Sequence, residues 1–125
     1  SNPSGYAGYF VGRVFSDNTM TATNFILSSD KQLKANIKIL RDTKWTDNLV
    51  YRSFTMKDDF TNRLRTGFIA QDVEKLAPSF VYTDEKGLKS LDYTGILISI
   101  VSRQRDQIED LEARIEKLEK LLNEK

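Results

Sequence analysis

The 125-residue chain contains neither cysteine nor histidine. Without cysteine it cannot form a disulfide, use a thiolate nucleophile or build a cysteine-based zinc site. Without histidine it has no Ser-His-Asp triad, no histidine general base and almost no means of holding a transition metal. We therefore expect no metal and no cofactor, and any enzymatic activity must rely on Ser, Thr, Lys, Tyr, Asp or Glu.

The chain also lacks an excess of either charge and any long apolar run. Its 19 basic and 18 acidic residues give a formal net charge of +1. A nucleic-acid-binding surface requires clustered Lys and Arg, so we expect no nucleic-acid partner. No window of about 18 apolar residues is present, and the first residues lack the basic and apolar regions of a signal peptide. We therefore expect no contact with a membrane.

The pattern along the chain predicts an α+β fold in three parts. Residues 1–28 contain two β-rich runs that are typical of the end of a β-stalk, and they are too short to bury a face alone. Residues 29–95 predict a small mixed domain with a helix at its start, a strand leading into a second helix that ends near Pro78, and a β-hairpin. Residues 96–125 predict a long C-terminal helix.

This last segment carries an unbroken heptad pattern, which we call the heptad seam. The seam consists of Leu97, Val101, Gln104, Ile108, Leu111, Ile115, Leu118 and Leu122. A lone helix would leave the seam in water, so the pattern predicts partner helices, with Arg114 able to reach Glu119 of a neighbour. Packing against its own domain is the less favoured alternative. The heptads alone leave open a parallel oligomer of two or three chains, because Gln104 departs from the simple two-strand rule.

Two interpretations fit the stretch SSDKQLK at the start of the middle part. Ser29 and Gln32 have the spacing of a capping box, and Asp30 suits the first turn of a helix, which would leave Lys34 an ordinary surface residue. Alternatively, Ser29 is a nucleophile and Lys34 its general base, since a desolvated lysine is the remaining conventional base in this chain. The nearest carbonyl belongs to Ser28, so attack would cleave the chain itself. Spacing alone does not distinguish the two.

Three short motifs precede the heptad helix in order: SDKQLK at 29–34, GFIAQDV at 67–73 and LDY at 91–93. Together with the helix they resemble the self-cleaving C-terminal chaperone domain of phage endosialidases and tailspikes, a module also found in myelin regulatory factor. The resemblance covers residues 29–125. It implies a homotrimer whose upstream part is a β-stalk or fibre of the same polypeptide, within a neck-appendage or tail-fibre precursor that assembles in the host cytoplasm.

The resemblance also implies specific roles. The domain would bring three chains together, let the stalk fold, and then release itself by cutting between Ser28 and Ser29, with Ser29 as nucleophile and Lys34 as general base. The family's trimer implies a three-stranded coiled coil. Asp30 would support the cleavage site. A non-catalytic trimerisation and attachment module is the alternative, and a fragment of a transcription factor carrying the same module is a third reading.

Two further residues of the motifs have no settled role. Gln71 and Asp72 lie in GFIAQDV. They either order the cleavage site or form a contact between subunits, and the sequence does not choose between these roles.

Overall fold

The computed structural model of the chain describes residues 5–124, which fall into two compact units. The units are Ser1–Ile37 and Lys38–Lys125. Within the described residues, all strands and both α-helices belong to the second unit, and the α+β class is confirmed.

Residues 5–28 of the first unit contain neither helix nor strand. The predicted pair of strands in residues 1–28 is therefore wrong over this range of the single chain, and residues 1–4 lie outside the described residues. The reason is physical: a short strand is stable only when neighbours satisfy its backbone and cover one face. Large apolar side chains accordingly stay in solvent, among them Phe10, Val11 and Ile26.

The helix predicted to start near Ser29 is also wrong. A single 3-10 turn, Lys31–Leu33, forms there and the chain then becomes extended at Lys34. Asn36 takes a left-handed backbone conformation with φ of 54°, which is incompatible with continuing a right-handed helix. The β-branched Ile37 that follows adds no helix propensity.

Two antiparallel hairpins form the sheets of the second unit. Strand β1 (Arg52–Phe54) pairs with β2 (Arg65–Gly67), and β3 (Val81–Thr83) pairs with β4 (Lys89–Leu91). The second hairpin was predicted from its polar turn, and it is confirmed. Gly87 supplies the φ of +82° that this turn requires.

The two helices of the second unit begin and end at recognisable signals. Helix α1 (Ala70–Leu76) stops just before Pro78, as predicted. Helix α2 (Tyr93–Asn123) starts three residues earlier than expected, because the Asp92 side chain caps it by accepting a hydrogen bond from the backbone N–H of Gly95 at 3.0 Å. Among the described residues, no helix has both the length and the apolar character needed to cross a bilayer.

The core of the second unit lies where the first turns of α2 meet α1 and the hairpins. Val73 of α1 and Ile96 of α2 are completely buried. The buried cluster consists of Leu49, Phe68, Val73, Ile96 and Ile100. This small core fixes the start of α2 in its own domain.

On another face, and from its first turns onward, α2 presents the heptad seam to solvent. The seven apolar residues of the seam keep between 50% and 69% of their surface exposed. The alternative in which the seam packs against its own domain therefore does not hold in this structure. Lys125, the last residue of the predicted helix, lies outside the described residues.

Candidate functional site

Ser29 and Lys34 are in direct contact in the first unit. The Lys34 Nζ donates a hydrogen bond to the Ser29 Oγ at 2.5 Å. The 3-10 turn between them folds the chain back so that two side chains five positions apart can meet. The two residues predicted to carry the chemistry are thus brought together.

Asp30 builds the turn that makes this contact possible. Its side chain accepts a hydrogen bond from the backbone N–H of Gln32 at 2.8 Å, and its carbonyl accepts one from the N–H of Leu33 at 3.0 Å. Asp30 is therefore the N-cap, and the predicted capping box between Ser29 and Gln32 is wrong. Because a neighbouring carboxylate does the capping, the Ser29 hydroxyl is available to Lys34.

The contact supplies the proximity that a serine–lysine pair needs for proton transfer, but proton transfer also needs a lysine in the right protonation state. A lysine acts as a general base in its neutral form, in which the amine accepts the proton of the hydroxyl. Removal from water favours that neutral form in lysines generally. Both side chains are exposed in the single chain. Base catalysis by this pair therefore requires that the pair become covered.

Gln71 and Asp72 lie in the second unit, at the first turn of α1. Asp72 accepts a hydrogen bond from Arg52 Nη2 at 3.3 Å, and this ion pair joins α1 to β1. Gln71 is exposed on the same turn. The contact of Asp72 is therefore structural within its own unit, and Gln71 presents its amide to solvent.

The structure shows a contact between the second and third motifs that sequence reasoning missed. The backbone N–H of Phe68 donates to the Tyr93 hydroxyl at 3.0 Å. That hydroxyl lies so close to Gly67 that a Cβ at this position would overlap it. Gly67 is required for the close approach of Tyr93, and the two residues hold the end of β2 against the start of α2. No spacing rule links positions so far apart in sequence.

An ion pair fastens α2 to the 3-10 turn Lys44–Asn48. Arg103 Nη2 lies 2.7 Å from Asp47 Oδ2, and Arg103 Nε donates to the other carboxylate oxygen at 3.0 Å. This two-point hydrogen bonding holds the pKa of the Asp47 carboxyl below its ordinary value, and the same contact raises the pKa of Arg103. Arg103 lies next to Gln104 of the seam, so the pair holds α2 to its own domain beside an exposed seam residue.

A search of curated proteins finds no match to this chain. The sequence model of a peptidase family described as chaperone of endosialidase matches residues 29–82. The matched segment begins at Ser29 and contains Lys34 and the GFIAQDV motif, whereas LDY and α2 follow it. The resemblance drawn from the sequence motifs is confirmed over residues 29–82, where this chain matches the chaperone-of-endosialidase family model.

Proposed function

We propose that this chain is a trimeric intramolecular chaperone that assists the folding of an upstream phage tailspike or fibre and then releases itself by autoproteolysis between Ser28 and Ser29. The observation that carries the proposal is the hydrogen bond between Lys34 and Ser29 within a segment of the chaperone-of-endosialidase family. In this proposal the precursor belongs to a virion tail or appendage and assembles in the host cytoplasm.

The cleavage needs only the atoms of the chain and one water molecule. The Ser29 Oγ attacks the carbonyl carbon of Ser28 while the neutral amine of Lys34 takes the hydroxyl proton. The same proton is passed to the Ser29 nitrogen as the C–N bond breaks, which leaves an ester between Ser28 and the Ser29 oxygen. Water then hydrolyses the ester, giving a carboxylate at Ser28 and a new N-terminus at Ser29. No electrons are gained or lost, so no redox partner is needed.

Trimerisation is supported by the exposed heptad seam. The seam runs from Leu97 to Leu122, a length of about 37 Å at the rise of an α-helix. Its apolar residues are covered when parallel copies of α2 associate, and Arg114 at g and Glu119 at e are placed to pair between neighbours. A parallel arrangement puts the three upstream chains at the same end of the bundle.

The chaperone acts in this proposal through proximity. Pairing of β-strands between chains is slow because the strands are non-local and must first meet, and unpaired edges aggregate in the meantime. Holding three C-termini together raises the local concentration of the stalks before they pair. Residues 5–28, whose apolar side chains are exposed in the single chain, are the segment that would gain partners first. Once the chaperone has left, the fibre cannot unfold by reversing its assembly, and it becomes kinetically stable.

Intact-mass measurement during incubation of the purified chain tests the cleavage. We expect a fragment that begins at Ser29, and we expect Ser29→Ala and Lys34→Ala to stay whole. Loss of a general base typically slows a reaction by about 10² to 10⁴-fold. Lys34→Arg should also stay whole, because arginine keeps the charge but does not give up its proton. Lys31→Ala is the matched control: this lysine lies in the same turn, and its removal should leave the cleavage rate near that of the wild type.

A non-catalytic trimerisation module is the second candidate, and the exposure of both side chains of the pair favours it. Under this alternative the wild-type chain forms trimers and keeps its full mass even when joined to its upstream fibre. That outcome would leave the assembly role standing and exclude the peptidase role.

A further inference from the structure

The heptad seam contains a single polar residue, Gln104, at a d position. The layers on either side are Val101 and Ile108, and the three residues border one shallow groove on the exposed face of α2. Gln104 follows directly on Arg103, whose ion pair with Asp47 ties α2 to its own domain. The polar layer therefore lies one residue after the ion pair that holds α2 to its own domain.

Arg105, the residue after Gln104, already forms an ion pair within its own helix. Arg105 Nε donates to Glu109 Oε1 at 3.2 Å, in an i to i+4 pair. Arg105 is thus directed along the helix surface. When other helices cover the seam, the side-chain amide of Gln104 must find its hydrogen-bond partners on those helices.

We propose that Gln104 sets the register of the assembled trimer. This inference rests on the proposed function, since it requires three parallel copies of α2. In register, three Gln104 side chains meet at the axis, and each primary amide can both donate to one neighbour and accept from the other. In a register shifted by one heptad, Gln104 would lie against Leu97 or Leu111 of a neighbour and its amide would be buried without partners, which is strongly disfavoured.

The apolar layers by themselves discriminate poorly between registers. The a positions carry Val, Ile or Leu and the other d positions carry Leu, so a shift of one heptad replaces each apolar layer with a similar one. Such a shift moves a chain by about 10 Å along the axis. Three stalks held out of phase by that distance cannot pair their strands correctly, because register decides which side chains face inward. A polar layer near the domain end of α2 removes this ambiguity before the stalks pair.

Disulfide trapping tests the proposal cleanly, because the natural chain has no cysteine. Chains with Leu111→Cys and chains with Leu118→Cys are mixed under denaturing conditions, refolded together and oxidised. Crosslinked peptides are then identified by mass. Cysteines one heptad apart are about 10 Å from each other in register, beyond the reach of a disulfide. In-register trimers therefore give only 111–111 and 118–118 links, whereas shifted trimers give 111–118 links.

We expect only same-position links with Gln104 in place, and at least a tenfold rise in 111–118 links when Gln104→Leu is added to both chains. The melting temperature of Gln104→Leu should rise, since an apolar layer replaces a polar one, and this shows that the variant is folded. Gln107→Leu is the matched control, because it removes the neighbouring glutamine at a g position off the seam, and it should give same-position links alone.

Two results would overturn the proposal in different ways. If Gln104→Leu trimers give only same-position links, register is fixed elsewhere, while the trimeric chaperone stands. If the wild-type chain sediments as a monomer at micromolar concentration, the trimer itself is wrong and the register proposal falls with it.

Discussion

At the scale of single residues, the contact between Ser29 and Lys34 depends on a neighbour that takes no part in the chemistry. Asp30 caps the 3-10 turn through its side-chain oxygen, and the turn is what brings the lysine back onto the serine. Serine and aspartate are both good N-caps. The sequence predicted a helix here with its cap at Ser29, whereas the structure has a single turn that is capped one residue later.

Substitution of Asp30 should slow cleavage without affecting assembly. Loss of an N-cap costs about 0.5–2 kcal/mol, which corresponds to about a twofold to thirtyfold lower population of the ordered turn. We expect the rate of fragment formation to fall by up to that factor in Asp30→Ala. Asp30→Asn keeps the acceptor oxygen and should cleave at nearly the wild-type rate. Equal rates for Asp30→Ala and the wild type would mean that the turn does not position Ser29.

A second residue-scale prediction concerns Gly67 and Tyr93. Gly67→Ala places a methyl group against the Tyr93 hydroxyl and should destabilise the domain by about 1–3 kcal/mol. Tyr93→Phe leaves the N–H of Phe68 without this acceptor and should cost about 1 kcal/mol. In the double variant the hydroxyl is gone and the methyl group has more room, so the total loss should be smaller than the sum. Additive losses in urea denaturation would show that the two residues do not interact.

At the scale of elements, helix α2 has two different faces along its first turns. Ile96 and Ile100 are buried in the core of its own domain, whereas the adjacent Leu97 and Val101 belong to the exposed seam. The helix can therefore be anchored in its own domain and still offer the seam to other chains. The heptad spacing predicted the seam, but the inward face of α2 depends on where the hairpins and α1 lie.

A charge on the seam should dissociate the trimer. In Ile115→Asp, three carboxylates would be buried together at the axis, which is strongly unfavourable. Sedimentation velocity should show monomers where the wild type shows trimers. Ala113→Asp is the matched control, because the same substitution at an outward f position should leave the trimer intact. A trimer that survives Ile115→Asp would mean that another surface holds the chains together.

The ion pair between Arg103 and Asp47, which holds α2 to its own domain, should contribute less to stability in acid. Because the pKa of Asp47 is lowered in the folded chain by Arg103, the pair stabilises the folded state above the ordinary carboxyl value of 3.8. That contribution to the free energy of unfolding is lost as the pH falls through the lowered pKa that Asp47 has in the folded chain. The difference in unfolding free energy between the wild type and Asp47→Asn should thus be constant from about pH 5 to 8 and should shrink below about pH 4. A difference that is unchanged near pH 2 would show that the ion pair does not contribute.

At the scale of the whole molecule, the features predicted from sequence are those set by local pattern. Helix α1, the hairpin of β3 and β4, and α2 follow from periodicity and turn residues, and the structure contains all three. The two strands expected in residues 1–28 do not form over residues 5–28 of the single chain, because a short strand is unstable without neighbouring strands. The contact between Gly67 and Tyr93 joins distant parts of the chain, so no local pattern could reveal it.

The same reasoning explains why a single chain leaves the proposed site incomplete. The serine–lysine pair is formed but exposed, large apolar side chains of residues 5–28 lie in solvent, and the seam is uncovered. Association of three chains would cover apolar surface in both the stalk and the seam. The account therefore predicts that assembly comes first and that cleavage follows it.

Native mass spectrometry of the wild-type chain joined to its upstream fibre tests this order of events, because one spectrum reports both assembly and cleavage. The account predicts an uncut trimer at early times, followed by a fibre trimer ending at Ser28 and a separate trimer of residues 29–125. Persistent uncut trimers would contradict self-cleavage, and cut monomers that appear before any trimer would contradict the order of events.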